Sequence, residues 1–118
     1  MEAKCHLRYQ RYGRRKVAQL LDQVRGKSIY EAQYLLASLP RIATGIVDKA
    51  IKSAGANLSV KLGRKLDLKS VWVTAASADQ GPMKMLKRVQ PGPQGRAMPF
   101  KRKMCHINVV VSDTKERK

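Results

Sequence analysis

Two β-branched runs, Ser70-Val71-Trp72-Val73-Thr74 and Ile107-Asn108-Val109-Val110-Val111, bracket an interval without acid: neither Asp nor Glu occurs between Asp79 and Asp113. Lys84, Lys87, Arg88, Arg96, Lys101, Arg102 and Lys103 lie inside it, and Gln90-Pro91-Gly92-Pro93-Gln94-Gly95 sits near its middle. The β-branched runs suit a pleated sheet. Pro and Gly reverse the chain between them, Pro by fixing φ and Gly by accepting a positive φ. The pattern predicts an extended cationic hairpin arm over residues 79–103, leaving at Gly81-Pro82 and returning through Phe100-Lys101-Arg102-Lys103-Met104. Limbs of roughly a dozen residues at about 3.3 Å each reach roughly 40 Å. A compact domain of this size has a radius of gyration of only about 13 Å, so the arm projects past its own core. Free hairpins of that length are marginal in water, and their edges invite association. Something outside the chain must hold the arm, and the absence of acid makes that partner a polyanion.

Charge over the whole chain agrees. With 25 Lys+Arg against 8 Asp+Glu, the formal charge is +17 on 118 residues. Self-repulsion on that scale opposes compaction unless a polyanion neutralises it, and such density is the footprint of nucleic-acid binding. A surface built only for solvation would mix signs or favour acids. The length and the 43 % apolar fraction suit one domain with one modest core. Met1 to Arg8 has no apolar signal-peptide core, and no run approaches the about 18 apolar residues of a membrane span. We therefore expect synthesis and use in one reducing compartment. No helical face gathers the cations as a membrane-surface helix would.

Along the chain, Lys4 to Tyr12 alternates, with Cys5, Leu7 and Tyr9 on one side and His6, Arg8 and Gln10 on the other, which predicts a strand ended by Gly13. From Arg14 the period becomes helical: Val17, Leu20, Leu21 and Val24 form a stripe that stops near Gly26. Arg14, Arg15 and Lys16 crowd its first turn, where the helix dipole disfavours cations, a conflict that an approaching phosphate relieves. Ser28 and Glu31 spell a capping box, so a second helix begins at Ile29, carries Ala32, Leu35, Leu36 and Leu39, and ends at Pro40. Ile42, Ala43, Ile46, Val47, Ala50, Ile51 and Ala54 predict a third helix from Pro40 or Arg41 to Asn57, and Leu58 to Lys69 a loop. Beyond it, Val71 and Val73 share one strand face, and Ile107, Val109 and Val111 share another. The order β-α-α-α-β-β predicts an α+β fold: three helices packed on a small three-stranded antiparallel sheet, with the long hairpin arm protruding. We expect one domain over 1–118, with a body of 1–78 and 104–113, the arm 79–103 and a short solvated tail 114–118.

Several sites for chemistry compete with binding. Cys5-His6 and Cys105-His106 suggest a Cys₂His₂ zinc site, but neighbours on a strand point to opposite faces. Buried thiols on the core face, with both histidines on the other face beside Arg8, are the simpler arrangement. A disulfide between the thiols is disfavoured in a reducing compartment. Gly92-Pro93-Gln94-Gly95 fits the GxxG spacing of KH domains, but Pro91, Pro93 and Pro99 exclude the flanking helices. Arg25-Gly26-Lys27 could join two helices of a DNA-reading helix-turn-helix, yet the second helix offers Tyr30, Gln33, Tyr34 and Ser38 with no Arg or Lys for base edges. A metal-dependent nuclease needs clustered carboxylates. Here Glu2, Asp22, Glu31, Asp48, Asp67, Asp79, Asp113 and Glu116 are scattered, leaving Asp79 and Asp113 at the arm's root as the one pair. We expect no catalytic residue, metal ligand, cofactor or small-molecule substrate.

Arg25-Gly26-Lys27, Ser53-Ala54-Gly55-Ala56-Asn57, Gly81-Pro82, Lys87-Arg88, Gly95-Arg96-Ala97, Lys101-Arg102 and His106-Ile107-Asn108-Val109-Val110-Val111-Ser112-Asp113 together resemble bacterial-type large-subunit ribosomal protein 22. The resemblance covers nearly the whole chain, and the ordered series in the arm is its specific part. It implies an α+β body on the outer surface of the large subunit near the nascent-chain exit. The hairpin threads inward through rRNA, and its tip forms part of the exit-tunnel wall near the macrolide-binding region. It further implies support of early subunit assembly, neighbouring ribosomal proteins as partners, and a cytoplasmic or organellar ribosome of bacterial type. Three features depart from the family's pattern: a nearly uncharged tip between Arg88 and Arg96, a limb about two residues longer through Met83-Lys84-Met85-Leu86, and Gly13 in place of a Ser-Pro helix start.

The expected rRNA-binding residues are Arg8, Arg11, Arg14, Arg15, Lys16, Lys27, Lys84, Lys87, Arg88, Arg96, Lys101, Arg102, Lys103 and His106. Val89, Gln90, Pro91, Gly92, Pro93, Gln94 and Gly95 are the expected tunnel-lining tip. A duplex-DNA binder and a Mg²⁺-dependent enzyme are the readings of other classes; competition between DNA and structured RNA tests the first, and turnover of nucleic acid the second.

Overall fold

The stripe after Gly13 folds as its spacing predicts. In the computed structural model, which describes residues 1–114, helix α1 spans Arg14–Val24 and buries Val17, Leu20, Leu21 and Val24. Gly13 is its N-cap in extended conformation, and Gly26, at φ +81, lets the chain turn out of it. Helix α2, Ile29–Ser38, begins with the reciprocal capping box: the Glu31 amide donates to Ser28 Oγ at 3.2 Å, and the Ser28 amide to Glu31 Oε2 at 3.3 Å. Removing such a cap costs about 1 kcal/mol.

Helix α3 differs from the sequence expectation at both ends, running Thr44–Leu62. Arg41 to Thr44 is a turn in which the Thr44 amide and hydroxyl both donate to the Arg41 carbonyl. Ile42, assigned by the spacing to the core stripe, falls in this turn and is 90 % exposed. At the other end the helix passes through the expected loop because Leu58 continues the stripe of Ile51 and Ala54 and is fully buried. Gly63, left-handed at φ +64, ends it.

Strand β1 covers Glu2–Gln10, β2 Trp72–Gln80 and β5 Cys105–Ser112, forming an antiparallel sheet in the order β1-β5-β2. The helices cover one face. Ala3, Cys5, Val71, Val73, Ala76, Ala78, Cys105, Ile107, Val109 and Val111 meet the buried residues of α1 to α3 in one cluster. Full burial stabilises each Val, Leu or Ile by about 1.5–3 kcal/mol. Among the described residues, no helix is long and apolar enough to cross a membrane.

Two bulges defeat simple alternation. In β2 the register steps from Val73↔Val111 to Ala75↔Val110, so Thr74 is an extra residue and its hydroxyl donates to the Val110 carbonyl. The strand extends past the predicted Thr74 because Ala76 and Ala78 take over the buried face. In β1 the register slips between Leu7 and Gln10. Tyr9, expected beside Cys5 and Leu7, turns outward and is 59 % exposed.

The free edge of β2 is closed by α1 and the turn after it, which shields backbone groups that would otherwise pair with another chain. Arg25 Nη2 donates to the Ala76 carbonyl at 2.6 Å and Arg14 Nε to the Ala78 carbonyl at 3.0 Å. Gly26 N–H reaches Val73 O, Val73 N–H reaches Lys27 O, and Ile29 N–H reaches Val71 O.

Candidate nucleic-acid interface

At the root of the arm the Gly81 amide donates to the Met104 carbonyl at 2.9 Å. A Cβ at Gly81 would stand 2.9 Å from Met104 Cβ, so this approach requires glycine. One 3₁₀ turn, Lys84–Leu86, follows, and then β3, Lys87–Pro91, pairs with β4, Ala97–Lys101, in a separate antiparallel ribbon. The molecule measures 64 × 26 × 25 Å, with a radius of gyration of 17.5 Å against the about 13 Å of a compact domain. Every residue of β3 and β4 is exposed.

The ribbon is poorly suited to stand alone. Lys87 lies directly across from Lys101, a like-charge pair that destabilises the ladder. Pro91 and Pro99 each remove a backbone donor from it. Among the described residues, the ion pairs are Met1 N-terminus to Asp113, Arg25 to Asp22 and Lys52 to Asp48, and none uses an arm cation. Lys84, Lys87, Arg88, Arg96, Lys101, Arg102 and Lys103 thus present charge that no described acidic residue compensates through an ion pair. At the tip, Gly92 N–H reaches the Arg96 carbonyl at 2.8 Å, and the reversal is made by Gln94 and Gly95, both at positive φ.

A second cationic group forms where the body meets the arm. Arg14, Arg15 and Lys16, at the start of α1, line a cleft of about 430 Å³ with Gly13, Gln80, Met83 and Lys103. The first turn of α1 has no acidic residue and no side-chain cap. A neighbouring cleft of about 800 Å³ adds Arg11 and Arg41 around Lys16. Arg41, whose Nη1 donates to Gln19 Oε1 at 2.8 Å, was not among the sequence candidates, because only the turn before α3 carries it there. Arg14 is partly engaged by Ala78, and Lys27 lines neither cleft.

On the helix-free sheet face, Arg8 is exposed. His6 Nδ1 donates to Asn108 Oδ1 at 2.7 Å, and Asn108 Nδ2 to Asp79 Oδ2 at 2.6 Å, so one polar ladder crosses all three strands. His106 Nδ1 accepts the Tyr9 amide at 2.9 Å. Cys5 and Cys105 are buried free thiols on the opposite, core face, which separates them from both histidines. Burial pushes the Cys105 thiol above its ordinary range, partly countered by a hydrogen bond with the Tyr12 backbone. Among the described residues, no three of His, Cys, Asp and Glu come together as metal ligands would.

The chain is similar in sequence to known proteins. The sequence profile of ribosomal protein L22p/L17e matches residues 5–112. The chain is 42 % identical to large ribosomal subunit protein uL22 of Bdellovibrio bacteriovorus over 96 % of its length and 99 % of the relative's. It is 41 % identical to that of Pelotomaculum thermopropionicum, over 98 % and 99 % of the two chains, and 37 % identical to that of Myxococcus xanthus, over 98 % and 100 %. A body with a protruding cationic ribbon, matched along nearly its full length to these proteins, belongs to the ribosomal protein L22p/L17e family, a structural and non-enzymatic constituent of the large ribosomal subunit.

Proposed function

We propose that this protein binds large-subunit rRNA through the arm and the cationic clefts at its root, supports subunit assembly, and lines the nascent-polypeptide exit tunnel with its tip. The observation that carries the reading is the arm itself, a ribbon with every strand residue exposed and none of its cations paired among the described residues. Affinity comes mainly from phosphate neutralisation with release of counterions. Specificity comes from the shape of folded RNA, whose A-form grooves hide base identity. Arm residues Lys84, Lys87, Arg88, Arg96, Lys101, Arg102 and Lys103 contact phosphates along the threaded limb. Arg8, Arg11, Arg14, Arg15, Lys16, Lys27 and His106 orient the body, next to neighbouring ribosomal proteins. Sucrose-gradient sedimentation of a tagged copy tests this: stoichiometric migration with the large subunit, persisting at high salt, supports it, and a protein that stays at the top of the gradient refutes it.

The tip, Val89 to Gly95, carries no charge, which suits a wall that must not grip passing peptides. Shortening Val89 to Gln94 should change nascent-chain stalling or macrolide response before it changes subunit yield. If neither responds, the tip is only a turn.

A further inference from the structure

Tyr9 is one of two non-glycine residues with positive φ among those described, at φ +56. A bulky side chain rarely adopts this conformation, and glycine adopts it freely. Continued alternation would have carried the ring to the core side with Cys5 and Leu7. Instead the slip between Leu7 and Gln10 turns it out, and the ring is 59 % exposed. Its orientation is held twice by His106: the Tyr9 amide donates to Nδ1 at 2.9 Å, and the two rings meet edge-on, 5.0 Å between centroids and at 90°. Because Nδ1 accepts that bond, the ring proton of His106 resides on Nε2. A single T-shaped contact covers at most one face of the Tyr9 ring, and the side chain stays largely exposed. The ring sits between exposed Arg8 and Arg11 in sequence, and Gln10 pairs with Cys105, one residue beyond the arm's root.

An aromatic face fixed outward among arginines, in a molecule of charge +17, suits a nucleobase better than a protein side chain. We propose that Tyr9 is a stacking platform for an unpaired base of the large-subunit rRNA, with His106 as its positioning residue. This rests on the rRNA-binding reading and adds to it a contact that does not depend on charge. Stacking of one base on an aromatic side chain corresponds to roughly tenfold in affinity.

Filter binding of full-length large-subunit rRNA across a salt series, with thermal unfolding of each free protein, tests it. Tyr9→Gly should keep or raise Tm, since glycine accepts the conformation, while affinity falls roughly tenfold with an unchanged salt slope. Tyr9→Phe and Tyr9→Trp should retain affinity, and the new indole should be quenched in the complex. Wild-type affinity in Tyr9→Gly, or an equal loss in Tyr9→Phe, overturns the stacking. So does a Tyr9→Gly variant that binds RNA normally but yields subunits lacking a neighbouring protein, which would make the ring a protein contact. Failure of the wild type itself to bind rRNA in a salt-dependent way overturns the rRNA-binding reading, and this one with it.

Discussion

Replacing Lys87, Arg88, Lys101 and Arg102 together by Gln separates the arm's electrostatics from the fold. Lys87, Arg88 and Lys101 lie on exposed ribbon positions, Arg102 is exposed immediately after β4, and Lys87 faces Lys101 across the ladder. The body's buried cluster contains no residue of β3 or β4. The substitutions should therefore leave the body's unfolding transition in place, and relieving the Lys87/Lys101 repulsion should favour the ribbon by a few tenths of a kcal/mol. Each lost phosphate contact lowers the slope of log K against log salt by about 0.7–0.9, so four contacts lower it by about 3. Over a fourfold range of salt, this difference changes the wild-type to variant affinity ratio by roughly 60-fold. Filter binding to large-subunit rRNA between about 50 and 200 mM salt reads it directly. An unchanged slope and affinity would remove the arm from the mechanism, whatever the body does.

Three further outcomes follow from the body. Leu58→Ala, at a fully buried position that closes the α3 stripe, should cost about 2–5 kcal/mol in urea unfolding, whereas a residue in a loop would cost little. Cys5 and Cys105, both buried and the latter with its thiol pushed up by burial, should react with a thiol reagent only as fast as the fold opens, and addition of urea should accelerate both together. Asp113 is held below its ordinary carboxylate range first by its hydrogen bond with the N-terminal ammonium, 2.6 Å away. With the folded value depressed, its contribution is fully present above the unfolded value of about 3.9 and is lost as pH falls through the folded value. A carboxyl NMR titration should place its midpoint below that of a free Asp, and N-terminal acetylation, which removes the largest cause, should raise that midpoint.

Local signals carried most of the body. The stripe Val17, Leu20, Leu21, Val24 and the Ser28/Glu31 box were legible because both depend on contacts within one or two turns. The end of α3 was missed because Asn57 and Ser59 are weak helix formers, while the burial of Leu58 under the sheet overrides propensity. Strand β2 looked shorter than it is, since a bulge at Thr74 shifts the alternation onto alanines, which carry little signal of their own. Arg14 read as a phosphate ligand from its place in the first helical turn. Its hydrogen bond to the Ala78 carbonyl depends on how α1 lies along β2, which no spacing along the chain encodes.

The sequence by itself determined the arm and its concentration of positive charge, because charge and the absence of acid are properties of composition and order rather than of packing. Tertiary structure alone decided which cations gather at the arm's root, where Lys103 meets Arg14, Arg15 and Lys16 across about ninety positions of chain. It also decided which way Tyr9 faces, through a bulge that exists only because β1 pairs with β5 and His106 offers its Nδ1 to the Tyr9 amide. Both depend on contacts between residues distant in sequence, and a one-residue slip in a strand sends every later side chain to the opposite face.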